Sequence, residues 1–221
     1  MKKSFKTAIS RIKIMGGTIR ASDILGTRKA SSSKSIEGNT KEIIACKVKI
    51  HPRTLYELRD NGILTQISRG VYRLTELEPI SNPDLITIGK RIPYAVVCLI
   101  SALAFHNITT QIPHTVSIAV PKNTKPPRID TPPISIHKFS DKAFTAGVEK
   151  HIIDGVPIKI YSVEKTLVDC FKYRNKIGLD VCVEALQLYK SRKKINVHNL
   201  VKYAKICRVY KIITPYLESI L

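Results

Sequence analysis

This sequence predicts an α+β chain in two parts, and three of its features predict it. A short helix opened by Pro52 runs straight into a pair of alternating strands, a middle stretch mixes β-branched strands with helices, and the last third is helical. The first of these is the order of a winged helix-turn-helix. The expected plan is therefore an N-terminal winged helix-turn-helix over residues 1–80, then a mixed α/β domain over residues 81–221 that ends in a helical third.

Ser4 to Met15 repeats apolar residues at Phe5, Ala8, Ile9 and Ile12, the spacing of one helical face, and Gly16-Gly17 ends it. Thr18 to Arg20 is a short extended piece, and Ser22 can cap a brief helix into Leu25. Thr27 to Thr40 is polar and serine-rich, which marks residues 27–49 as a loop insertion in which only Lys41 to Val48 regains helical character.

The most informative run is His51 to Leu74, HPRTLYELRDNGILTQISRGVYRL. Pro52 suits the first helical position, where its missing N–H costs nothing. Leu55 and Leu58 form one apolar stripe, and Asn61-Gly62 stops the helix because glycine accepts the left-handed cap. Ile63 to Ile67 alternates as a strand, Ser68-Arg69-Gly70 turns, and Val71 to Leu74 returns. Thr75 to Asn82 reads as a linker.

Beyond it, Pro83 to Arg91 and Pro93 to His106 read as helices, Thr115 to Val120, Ile134 to Phe139 and Val156 to Tyr161 as strands, and Pro121 to Pro133 as a loop. Ser162 caps a helix through Lys172. Leu179 to Lys190, Val197 to Cys207 and Val209 to Leu221 complete the helical third. The most apolar stretch, Tyr94 to Phe105, is about half the roughly 20 residues a membrane span needs, so a core helix and no membrane partner are expected.

Charge narrows the function. The chain of 221 residues carries 37 Lys and Arg against 17 Asp and Glu, a net of +20, with +9 in residues 1–80, +4 in 81–161 and +7 in 162–221. Such an excess favours polyanions, because neutralised phosphates release condensed counterions. The five cysteines are widely spaced, form no C-x-x-C pair, and read as reduced and buried in a cytoplasmic chain.

On the Pro52 helix, Leu55 and Leu58 facing inward turn Arg53, Tyr56, Glu57 and Asp60 outward. Arg53, in the first turn, is the candidate for reading a guanine edge; His51 and Thr54 sit where phosphates meet the positive end of the helix dipole. Arg69 at the hairpin tip and Arg73 beside it are expected to reach phosphate or the minor groove. Glu57 and Asp60 oppose phosphate, unless Glu57 accepts from a cytosine amino group or steadies Arg53, and Asp60 is expected to face away from the DNA backbone. Arg192, Lys193, Lys194, Lys202 and Lys205 form a second basic patch, for more DNA, for RNA, or as a solvated surface.

The run HPRTLYELRDNGILTQISRGVYRL resembles the N-terminal winged-helix domain of the AbiEi-type antitoxins of abortive-infection, type IV toxin–antitoxin systems. The runs VVCLISALAFHNITTQIPHTVSIAV, GVEKHIIDGVPIKIYSVEKTLVDCFKYRNKIGLDVCVEAL and YAKICRVYKIITPYLESIL resemble that family's antitoxin domain in the same order. The resemblance implies a bacterial phage-defence antitoxin and transcriptional autorepressor. Its winged helix would bind double-stranded DNA at its own promoter repeats. Its C-terminal domain would counter a nucleotidyltransferase-like toxin without direct contact. One departure stands: residues 27–49 intervene before the recognition helix, so either the turn is lengthened or Lys41 to Val48 serves as the first helix of the pair.

Other chemistry finds less support. Asp154, Glu164, Lys165 and Asp169 would suit a metal-dependent nuclease, but Glu164 and Lys165 are adjacent and diverge on a helix, and cap, turn and ion pair account for the group. Ser101 has no G-x-S-x-G setting and reads as a hydroxyl bonded to its own helix. There is no phosphate loop and no histidine pair at metal-ligand spacing. No catalytic residue, metal or cofactor is expected, and the chain reads as not an enzyme. An RNA-binding regulator is the remaining alternative, weakened by 6% aromatics with no Trp.

Overall fold

The computed structural model describes residues 3–24, 50–78, 80–192 and 195–220. The insertion expected over 27–49, the helix expected over Lys41 to Val48, and Cys46 lie outside the described residues. The chain divides into two units, Met1–Arg91 with Ile152–Val156, and Ile92–His151 with Pro157–Leu221. The fold is α+β, with a three-stranded and a five-stranded sheet.

In the first unit, helix α1 (Lys3–Ile14) leads through a glycine turn to strand β1 (Thr18–Arg20) and the short helix α2 (Ala21–Ile24). Helix α3 (Pro52–Asp60) is followed directly by strands β2 (Leu64–Ser68) and β3 (Val71–Leu74), which form an antiparallel hairpin with a bulge between Gln66 and Ser68. The extended piece at Thr18 becomes the third strand, pairing antiparallel with β3 in the order β1-β3-β2. Phe5, Ala8 and Ile12 from α1 meet Leu55 and Leu58 from α3 and Ile19, Leu64, Tyr72 and Leu74 from the sheet in one core. Helix α4 (Pro83–Arg91) belongs to this unit rather than to the domain expected from residue 81. The reason is partly polar: the Arg20 guanidinium donates to the last carbonyls of α4, at Lys90 (3.1 Å) and Arg91 (3.3 Å).

The second unit is built on a mixed sheet of order β6-β5-β4-β8-β7, with β4 (Val96–Val97) at its centre. Its other strands are β5 (Val116–Pro121), β6 (Ile134–Phe139), β7 (Val148–Ile153) and β8 (Val156–Tyr161). Strand β4 runs antiparallel to β5 and parallel to β8, and β5 runs parallel to β6. The helices are α5 (Leu99–Phe105), α6 (Asp141–Thr145), α7 (Val163–Lys172), α8 (Arg174–Ile177), α9 (Leu179–Arg192), α10 (Val197–Cys207) and α11 (Tyr210–Ile220). Helix α7 is buried on nearly every side, and Leu167, Val168, Cys170 and Phe171 pack with Leu186 of α9, Ala204 of α10 and Ile213 of α11.

The single helix expected over Pro93 to His106 is a strand followed by a helix. Val96 and Val97 are β-branched, fully buried and paired on both sides, and only from Leu99 does the chain turn helical. Ser101 is likewise corrected: its hydroxyl donates to the Thr115 carbonyl (3.3 Å) and accepts from the Ser117 N–H (2.9 Å), so it ties α5 to the start of β5 rather than to its own helix. Cys98, Cys170, Cys182 and Cys207 are buried free thiols. Burial pushes all four above the usual thiol range, to about 11 for Cys182 and Cys207, which keeps them protonated and poorly nucleophilic.

Candidate nucleic-acid interface

The interface is built on α3. Its start is fixed by His51, whose backbone is extended and whose Nδ1 accepts the Arg53 N–H at 3.2 Å, with Pro52 in the first helical position. Its end is fixed by Asn61 and by Gly62, whose φ of +70° glycine alone adopts at little cost. Leu55 and Leu58 are buried, as the stripe predicts, so the opposite face is solvent-facing. A helix with its side chains is about 10–12 Å across, the girth that a major groove about 12 Å wide admits.

That outward face carries matched charge. The Arg53 side chain is 83% exposed, and its Nε donates to Glu57 Oε1 at 3.1 Å, so Glu57 steadies Arg53. Thr54 is half-buried and Tyr56 is exposed. Arg59, which sequence reasoning passed over, lies over the Tyr56 ring (5.2 Å to the centroid) and donates through Nε and NH2 to Asp60 Oδ1, at 2.9 and 2.7 Å. Hydrogen bonding and charge from Asp60 hold the Arg59 guanidinium above its ordinary pKa. Asp60 itself is exposed and clasped by its neighbour. The signal for Arg59 was available, since Tyr56 and Arg59 are three apart on one helix.

At the hairpin tip Arg69 is exposed, one residue before Gly70. Arg73 is not part of this surface. It is 7% exposed, and its guanidinium donates to the Glu78 carbonyl (3.1 Å) and meets the Thr18 hydroxyl (3.5 Å). Strand β3 is central, with β1 and β2 on either side, so a side chain expected to point outward is enclosed.

In the second unit Lys202 and Lys205 are exposed on α10, three apart, with Nζ atoms 6.0 Å from the Tyr203 ring and 5.6 Å from the Tyr210 ring. The Arg192 side chain, Lys193 and Lys194 lie outside the described residues. The carboxylate group considered for a nuclease does not converge. Asp154 sits in the β7–β8 turn at φ +46° and accepts from the Ser81 N–H and hydroxyl, while Glu164 accepts the Tyr189 hydroxyl proton at 2.6 Å. Lys165 and Asp169, both fully buried, pair with each other. No group of three or more His, Cys, Asp or Glu among the described residues could hold a metal ion, and no described helix is long and apolar enough to cross a membrane.

Known proteins place this segment first in a class. Residues 39–75, which include α3 and the β2–β3 hairpin, match the model of a family of transcriptional regulators. The family is described as transcriptional regulator, AbiEi antitoxin, so the resemblance read from the sequence is found again over this segment. The match ends at residue 75. Among solved structures, the RV2827C protein from Mycobacterium tuberculosis aligns at 16% identity with a TM-score of 0.48, covering 70% of this chain and 60% of that one. This chain therefore spans less than two thirds of that structure's length. No curated protein matches it.

Proposed function

We propose that the chain is an antitoxin-type transcriptional regulator whose winged helix-turn-helix binds its own promoter and represses it. Helix α3 is the recognition helix and the β2–β3 hairpin is the wing. The observation that carries this reading is the pairing, within the matched segment, of an exposed first-turn arginine with an exposed arginine at the tip of the following hairpin. Arg53 reads a guanine edge. His51 and Thr54 hold phosphate at the helix N-terminus, Tyr56 supplies apolar contact, and Arg69 reaches the backbone or minor groove. Lys202 and Lys205 add sequence-independent attraction to a polyanion. From the family resemblance comes the second half of the reading: the chain works in the cytoplasm, opposes a nucleotidyltransferase-like toxin without a tight complex, and catalyses nothing itself.

Quantitative binding to the DNA upstream of the chain's own reading frame, against a shuffled duplex, tests the promoter reading. Arg53→Ala should lose about 1–3 kcal/mol of discrimination at one base pair. Arg69→Ala should weaken both duplexes alike and reduce the salt slope by about 1. If both variants bind as the parent does, α3 is not the recognition helix.

A further inference from the structure

On the outward face of α3, each acidic side chain is held by an arginine of the same helix. Glu57 takes Arg53 and Asp60 takes Arg59, so two cations and two anions cancel on the surface that would lie in the groove. This contrasts with the +9 carried by residues 1–80 as a whole. A helix evolved only to grip phosphate would gain from losing both carboxylates. Surface ion pairs of this kind, with Arg53 83% and Asp60 62% exposed, contribute at most about 1 kcal/mol each to folding.

We propose that Glu57 and Asp60 are specificity-determining residues that suppress binding to arbitrary DNA, an inference that rests on the recognition-helix reading above. In the free protein the carboxylates occupy the guanidinium groups. On a non-cognate duplex they remain in place, and they repel the phosphates lining the groove while α3 gains no net attraction. On the cognate duplex a base edge with two acceptors, such as guanine O6 and N7, takes over the Arg53 fork and repays the exchange. Specificity then comes from a penalty set against the wrong sequence as well as from contacts with the right one.

The test uses the full chain with Glu57→Gln, Asp60→Asn and the double variant, titrated against the upstream duplex and a shuffled duplex of equal length between 50 and 200 mM salt. The double variant should bind the shuffled duplex about tenfold more tightly, with a salt slope steeper by about 0.9 for each charge removed. Affinity for the upstream duplex should rise less, so the ratio between the two falls. An unchanged ratio overturns the proposal. So does a loss of cognate affinity with shuffled binding unchanged, which would make Glu57 a direct reader of cytosine. A parent protein that does not distinguish the two duplexes removes the recognition-helix reading itself, and this inference with it.

Discussion

Two ion pairs in this molecule share one spacing and one order of charges, and they differ in almost everything else. Arg53 and Glu57 on α3, like Lys165 and Asp169 on α7, are a cation followed four residues later by a carboxylate. In the first pair the arginine is 83% exposed and the glutamate 31%; the second is at 0% exposure on both sides. Around Lys165 the solvent is replaced by rings, with Nζ 4.3 Å from the Tyr161 centroid and 4.9 Å from that of Phe139. Asp169 receives its second bond from the Cys207 thiol at 3.4 Å. Burial pushes the Asp169 carboxyl above its ordinary pKa, and Lys165 opposes that shift. Gly147 completes the enclosure, because a Cβ there would come within 2.7 Å of the Lys165 Cβ. The difference teaches that a charged pair is architecture when water is excluded and a usable surface when it is not.

The sharpest way to break this comparison is to remove one partner from each pair. Lys165→Met should cost about 3–5 kcal/mol in urea unfolding, because it strands a buried carboxylate, and adding Asp169→Leu should recover most of the loss. A single variant as stable as the parent would mean that the interior pair is not what the packing implies. A smaller effect is expected at Arg73, which shares the arginine chemistry of α3 but the burial of α7. Arg73→Leu should destabilise by about 1–3 kcal/mol by leaving the Glu78 carbonyl without its donor, with DNA discrimination intact once the protein is folded. A selective loss of DNA binding in a stable variant would return Arg73 to the interface. The smallest effect belongs to the exposed pair: Arg53→Ala should shift unfolding by less than about 0.5 kcal/mol, so that its whole consequence is read in DNA binding.

The helix-then-hairpin order of residues 51–74 was legible because its signals are local. Proline at the first position, asparagine and glycine at the end, leucines three apart, and a glycine turn between alternating strands each act on near neighbours. The outward placement of Arg53 followed from the leucine stripe alone. Arg73 was misread because its burial depends on β1, a strand more than fifty residues earlier, which closes the far side of β3. The run from Tyr94 to Phe105 was misread for a related reason. A continuous apolar stretch has no period to separate strand from helix, and Val96 and Val97 become a strand only because β5 and β8 flank them. Strand β7, at the edge of its sheet and mixed in polarity, gave no pattern to find.

Sequence by itself determined the basic charge, the caps and stripe of helix α3, the β2–β3 hairpin and most helices of the final third, because each is set by residues within a turn or two of one another. Tertiary structure alone decided which arginines meet solvent, which strand takes the centre of each sheet, and that one of two equally spaced ion pairs is sealed from water. Those outcomes depend on surfaces brought together from distant parts of the chain, and burial is a property of the assembled neighbourhood rather than of any residue in it.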